Sequence, residues 1–397
     1  MFKVAPVKLG MFGRVVLAIL SGVALGFALA NLGGFGDVGL RVLKTFNVLF
    51  AQVLKFIVPL LILGLVTPAI SNAGKGAGGL LVAVMVISYA STCVASLFAY
   101  CTAGRLLPLY VAKGAVAAAG NCAAIVPYID LKIPPFCDVL TALALSFMIG
   151  VGAMVTGSAT VKRWFEELGE IVKLAIVKVV IPGLPVYILT MICEMTASGR
   201  IGAMAGAMFK VIGTGWALTI VFLVLLYVAA GVVAGKNPFA CLWNMCPAYL
   251  TALSICSSSA VIPVTLDCCE RNGVSKDVRN FVVPLCANVH MVGSAIKLLT
   301  SIMAVAIIYG LDIGFAQYLH FTFLFAVAAV AAPGVMCGVL MASVGFVESV
   351  LGLSAEQVSV VMAFYMALDG YGPAANVTGD GAVALLCERF FGSHEGA

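Results

Sequence analysis

Six continuous apolar stretches, at about 12–31, 42–70, 79–104, 138–158, 165–193 and 208–234, predict membrane-crossing helices separated by Gly, Pro or charge clusters. Beyond Lys236 the pattern changes. Apolar arms are interrupted at Cys256-Ser257-Ser258-Ser259 and again around Pro333-Gly334-Val335-Met336-Cys337-Gly338. A polar break at membrane depth is tolerated only where protein or a water-filled cavity satisfies the freed backbone groups. The pattern therefore predicts two re-entrant hairpins, about 238–275 and 316–354, each followed by a helix carrying polar residues, about 281–310 and 356–388. Paired interrupted segments in corresponding positions point to a transporter's binding site. The expected fold is an all-α polytopic membrane protein of about eight transmembrane helices plus two hairpins, an inverted repeat in architecture. One membrane domain covers 1–397, with the first six spans in 1–235 and a binding core in 236–397.

Composition agrees. Of 397 residues, 63% are hydrophobic and only 10% charged, against about 25% charged in soluble domains. The net charge of +5 is spread without a run of like charges, which excludes a footprint on nucleic-acid phosphates. Thirteen cysteines are scattered through apolar stretches with no CxxC pair or Cys/His cluster, so they read as small core residues, with no disulfide scaffold and no structural metal expected. Lys3, Lys8 and Arg14 ahead of the apolar run to Ala30 mimic a signal peptide, but further apolar segments follow at once and the run reads as the first span. With cytoplasmic N- and C-termini, eleven Lys or Arg residues fall inside (among them Lys75, Lys236, Arg271 and Arg389) and six outside, the sense of the positive-inside rule. Without organelle-targeting features, the expected address is a plasma membrane, as a bacterial inner membrane.

The last helix is the most informative. Asp369, Gly372, Pro373, Asn376 and Asp380 fall on one helical face. A charge at the bilayer centre costs about 2.5–3.5 kcal/mol on insertion scales, so two aspartates on one stripe call for cations or a cavity. The bland alternative is an aspartate bonded to amides at a helix end. At the first hairpin tip, the serine run offers hydroxyls and consecutive amides to a carboxylate, although serine runs usually mark ordinary loops. Asn288, His290, Ser294 and Lys297 interrupt the helix at 281–310. Lys297 should pair with a carboxylate, lose its proton or snorkel, with Asp369 or Asp380 as counter-ion. His290 either carries a proton or is a satisfied core donor.

These residues resemble the dicarboxylate/amino acid:cation symporters, over nearly the whole chain and most closely from Ser257 to Asp380. Ser257-Ser258-Ser259-Ala260-Val261-Ile262-Pro263 is similar to the family's serine-rich tip, with Ala260 where glycine is usual. His290-Met291-Val292-Gly293-Ser294 stands where Asn-Met-Asp-Gly-Thr is common, and Asn376-Val377-Thr378-Gly379-Asp380 matches the last-helix signature without change. The resemblance implies that Asp369 holds the substrate's α-amino group, that Asn376 and the Ser258 region hold its α-carboxylate, and that Asp380 with backbone carbonyls holds sodium, near Asn288, Asn376 and Ser294. Tyr89 and Thr92 match a further sodium site whose serine is Cys93 here and whose aspartate and asparagine are Val292 and His290; a hard cation loses oxygen ligands there. The resemblance also implies homotrimers and no cofactor beyond sodium as a coupled substrate.

Gly372 occupies the place where acidic-substrate members carry an arginine, and Cys256 the other arginine position. Without either, a second substrate carboxylate is buried against nothing cationic, unless Lys297 reaches the pocket. Asp369 disfavours substrates without an amino group. The expected function is therefore sodium-coupled symport of a small neutral amino acid such as serine, threonine or alanine, with fewer sodium ions per cycle than acidic-substrate relatives. The alternative is an acidic amino acid or dicarboxylate. Rivals from other classes are an ion channel and an intramembrane hydrolase using Ser258 or Cys256 with His290. No enzymatic activity is expected.

Overall fold

A computed structural model describes residues 11–73, 79–115, 125–129, 131–199, 201–331, 338–367 and 370–392. Among them there is no strand. The N-terminal spans are α1 (Met11–Ala30), α2 (Gly34–Ala73), α3 (Gly79–Leu106), α4 (Val139–Thr156), α5 (Ala159–Ala175), α6 (Ile181–Ala197) and α7 (Ile201–Ala234). All six expected stretches are helical, but α2, α5 and α7 start earlier than hydropathy alone suggests. The glycine-rich start of α2 and the charged first turns of α5 dilute the apolar signal, while Ser158 caps α5 by accepting from Val161 N. One widened turn at Ile176–Val180 joins α5 to α6. Pro182 and Pro185 follow it, and a proline ring that displaces the carbonyl four residues back favours such a bulge.

The C-terminal part is made of shorter pieces. These are α8 (Pro238–Asn244), α9 (Cys246–Ile255), α10 (Ile262–Arg271), α11 (Lys276–Val289), α12 (Val292–Tyr309), α13 (Phe315–Ala331), α14 (Gly338–Ser349), α15 (Ala355–Ala367) and α16 (Tyr371–Phe391). Helices α9 and α10 touch each other on either side of the serine run, and α13 packs on α14. The second expected tip, Pro333 to Cys337, lies outside the described residues. At the first, Cys256 adopts φ 58°, the one positive value at a non-glycine among the described residues, and terminates α9.

One expectation needs correction. The helix expected over 281–310 is two helices, because His290 (φ −102°, ψ 102°) and Met291 (φ −121°, ψ 37°) leave the helical region. Of the helix expected over 356–388, the described parts Ala355–Ala367 and Tyr371–Phe391 are helical, and residues 368 and 369 lie outside the described residues. Mean hydropathy over Lys276–Tyr309 stays high across the break at His290, so it could not reveal it.

Helix α12 is the axis of the molecule, packed by α3, α7, α15 and α16. Its surroundings differ from those of the other long helices. The apolar window over Lys276–Tyr309 is 89% buried, against 22–50% for the five other long apolar helices. The outer helices leave much of their surface exposed, whereas α12 is covered by protein over most of its surface. That shielding allows polar groups on α12 to be partnered instead of exposed to hydrocarbon. At one end of the molecule, Arg279 pairs with Glu270 at 2.8 Å, and the Glu388 carboxylate accepts from Ser275 N and Oγ. The turn between α10 and α11 is thereby clamped to the end of α16. Among the described residues seven cysteines are buried and none is disulfide-bonded.

Candidate functional site

The break between α11 and α12 faces α16, and there the sequence-level stripe comes together. Ending a helix frees its last carbonyls, and starting one frees its first amides. Two such ends meet here. Asn376 answers the second need: its side-chain oxygen accepts from Gly293 N at 2.8 Å and Ser294 N at 3.3 Å. Its Nδ2 donates to Ser294 Oγ at 3.1 Å. Asn376 thus caps α12 from a neighbouring helix, a role in which its amide is turned toward α12.

One turn further along α16, Asp380 meets His290. Nδ1 of the ring lies 3.0 Å from Asp380 Oδ1, with both side chains shielded from solvent. The ring packs flat against α16 because residue 379 is glycine; a Cβ there would stand 2.6 Å from His290 Cε1. Asp380 Oδ2 and His290 Nε2 have no hydrogen-bond partner among the described residues. Sulfur and phenol groups surround the pair: burial brings Cys286 of α11, Cys269 of α10 and Tyr227 of α7 into the field of the carboxylate. Tyr227 also donates to Thr378 O at 2.8 Å, fixing α7 to α16. Nothing in the sequence distinguishes Tyr227 from a lipid-facing tyrosine.

Lys297 occupies another place than beside Asp380, whose Oδ1 is engaged by His290. The lysine is fully buried, and its Nζ lies 3.6 Å from the centre of the Tyr365 ring on α15. On the α16 side it meets Gly372, where a Cβ would come within 3.3 Å of Nζ, 3.4 Å of Cε and 3.6 Å of Ser294 Oγ. The premise that nothing cationic stands beside Gly372 therefore does not hold: α12 delivers an ammonium to the position that α16 leaves empty. Tyr365 is a residue the sequence reading missed, since an aromatic in an apolar helix carries no distinguishing signal.

The remaining candidates are scattered. Asp369 lies outside the described residues. Pro373 is half-buried beside Gly372. At the hairpin tip, Ser258 is buried, Ser257 Oγ accepts from Ala260 N at 3.4 Å, and Ser259 Oγ lies 3.5 Å from Asn288 Oδ1. Asn288 is exposed and belongs to this tip contact. Leu253, at the end of α9, packs so closely on Gly370 that a Cβ there would lie 2.9 Å from its carbonyl oxygen. The end of α9 therefore meets the start of α16 two residues from Gly372, which Lys297 touches. Tyr89 and Thr92 on α3 bond elsewhere, to Phe323 O at 3.4 Å and Ser88 O at 2.8 Å.

Residues 11–390 match the model of the sodium:dicarboxylate symporter family. Excitatory amino acid transporter 3 of Homo sapiens is 32% identical over 255 residues, 63% of this chain and 48% of that protein. Excitatory amino acid transporter 1 of Ambystoma tigrinum is 29% identical over 256 residues, 63% of this chain and 46% of that protein. The chain thus spans about half the length of these relatives.

Proposed function

Since the chain belongs to the sodium:dicarboxylate symporter family, we propose that it is a secondary-active transporter carrying a small organic solute together with sodium, with the meeting of α11, α12 and α16 as its binding centre. The observation that supports this most is a fully buried carboxylate of α16 that faces the break between α11 and α12 in a membrane protein. Asp380 Oδ2 and the terminal carbonyls of α11 are the oxygen ligands a hard cation takes. Sodium there neutralises Asp380, and without it the charged core resists crossing the hydrocarbon. The serine tip supplies donors for the substrate's α-carboxylate, and Asp369 an anion for its α-amino group. We read the arms α9/α10 and α13/α14 as the two re-entrant hairpins that close this centre from opposite faces of a plasma membrane, with Lys236, Arg271 and Arg389 on the cytoplasmic side. The trimer implied by the resemblance gives one such path per subunit.

The expectation of a neutral side chain rests on the missing guanidinium at Gly372 and Cys256. Lys297 is the specific observation that favours the second reading, an acidic amino acid or dicarboxylate. Transport itself is tested by uptake into proteoliposomes containing the purified full chain. An inward sodium gradient is expected to concentrate solute, and Asp380→Asn to abolish the sodium dependence. Uptake that merely equilibrates, equally with and without the gradient, would fit a channel and sink the proposal.

A further inference from the structure

We infer that the groove between α7 and the α8/α9 arm is a binding site for one acyl chain of a bilayer phospholipid, which braces α16 from its outer side. The groove lies outside the centre described above, and its occupancy does not depend on the transport reading.

Two helices running past each other create it. The arm returns antiparallel along α7: at one end a Cβ on Gly231 would stand 2.9 Å from Pro238 Cβ, and at the other the Trp216 indole N–H donates to the Tyr249 hydroxyl at 2.9 Å. Between these contacts the helices part and enclose about 440 Å³. Ile220 and Leu223 form the α7 wall, Met245, Cys246 and Tyr249 the opposite wall, and Thr378 of α16 the floor. Phe239 and Trp243 of α8 stand at the rim, both strongly exposed.

Chemistry, depth and length identify the occupant. The lining is almost wholly apolar, and its two hydroxyls are already engaged: Tyr249 accepts from Trp216, and Thr378 Oγ1 donates to Ala374 O at 2.8 Å. A held water needs about two to four polar partners, so this space does not suit water or a polar solute. Ile220 lies midway along the apolar window Gly206–Ala234, the most hydrophobic of the six long apolar helices. Ile220 and, beside the groove, Leu250 are exposed apolar side chains, so the mouth opens into hydrocarbon. An empty space of this size forfeits dispersion contacts along its lining. From Phe239 to Tyr249 the arm rises about 15 Å, the depth of one leaflet in a hydrocarbon core about 30 Å thick. The aromatic rim marks the end where a chain enters, since tryptophan favours the bilayer interface. A partner helix about 10 Å across would need more than about 1,000 Å³ over the same length, so one acyl chain fits and a helix does not.

The chain would press on α16 at a particular place. Met245 packs on α16 as well as lining the groove: a Cβ on Gly381 would lie 2.8 Å from its Sδ. Thr378 and Met245 thus touch the groove on both sides of Asp380, and a chain lodged there holds the segment that carries this carboxylate.

Native mass spectrometry of the purified full chain, with phosphatidylglycerol added in non-ionic detergent, tests this. One phospholipid per subunit is expected to stay bound at saturation. Cys246→Phe projects a ring into the groove and is expected to lower retention at least about tenfold, since losing the burial of two methylenes already costs that much affinity. Should that variant not fold, Ile220→Phe fills the groove from the opposite wall with the same expected loss. A phosphatidylglycerol carrying a diazirine midway along one chain is expected to label the buried walls Leu223 and Met245 in preference to the exposed Val232 of α7. The lipid should also raise the melting temperature of the wild type and leave that of Cys246→Phe unmoved. Retention that rises without saturation and equally in the variants, or label spread evenly over exposed faces, would overturn the site and leave only annular lipid. No retained phospholipid, together with a changed oligomeric mass in Cys246→Phe, would give the groove to a second copy of the chain and overturn it too. None of these readouts involves solute uptake, so failure of sodium-driven uptake would sink the transport proposal and leave the acyl-chain site standing.

Discussion

Gly379→Ala puts the packing of the centre to a direct test. A Cβ at this position would lie 2.6 Å from His290 Cε1, 3.2 Å from Nδ1 and 3.2 Å from Val292 Cγ2. Separations below 3.0 Å do not persist, so the ring or α16 must move. Ring displacement stretches the 3.0 Å contact with Asp380. Overpacking a dense core costs about 1–3 kcal/mol, and loosening a buried hydrogen bond adds about 1 kcal/mol. The expected total is therefore about 2–4 kcal/mol. Because the carboxylate is the expected cation ligand, sodium affinity should fall as well. Thermal unfolding of purified protein in detergent, with and without sodium, reads both effects. The decisive comparison is a double-mutant cycle with His290→Ala, which removes the obstructing ring. In that background Gly379→Ala should cost less than in the wild type by more than about 0.5 kcal/mol, the tolerance within which uncoupled sites add. An equal cost in both backgrounds would refute the claim that glycine is there to admit the histidine.

Replacing Asn376 by Leu strips Gly293 N and Ser294 N of their shared acceptor, and unsatisfied buried amides cost about 1–3 kcal/mol each; a melting temperature equal to wild type would contradict the capping role. Tyr227→Phe removes the donor to Thr378 O and should destabilise by about 0.5–1.5 kcal/mol, seen in the same unfolding assay. Gly370→Ala should press on the Leu253 carbonyl and hold the α9 arm off α16. Faster modification of Cys256 by a membrane-permeant thiol reagent, followed by mass spectrometry, is the expected outcome, and an unchanged rate counts against it.

The sequence alone determined that this chain lives in a bilayer and where most of its helices run, because burying peptide groups in hydrocarbon demands long apolar helices and leaves few alternatives. It also determined that Gly372, Asn376 and Asp380 share a face, since that follows from the helical repeat. What each face meets is decided by chain segments far away in sequence, and local periodicity is blind to it. The split of α11 from α12 is such a case: the apolar pattern runs on through His290 and Met291, and only Asn376 on α16 makes the new helix start tenable. Partner choice is another. Asp380 is claimed by His290, while Lys297 travels to Gly372 and Tyr365, because the packing of α12 between α15 and α16 aims its side chain there. Residue types announced that charge was buried, but only the tertiary arrangement decided which charges face one another.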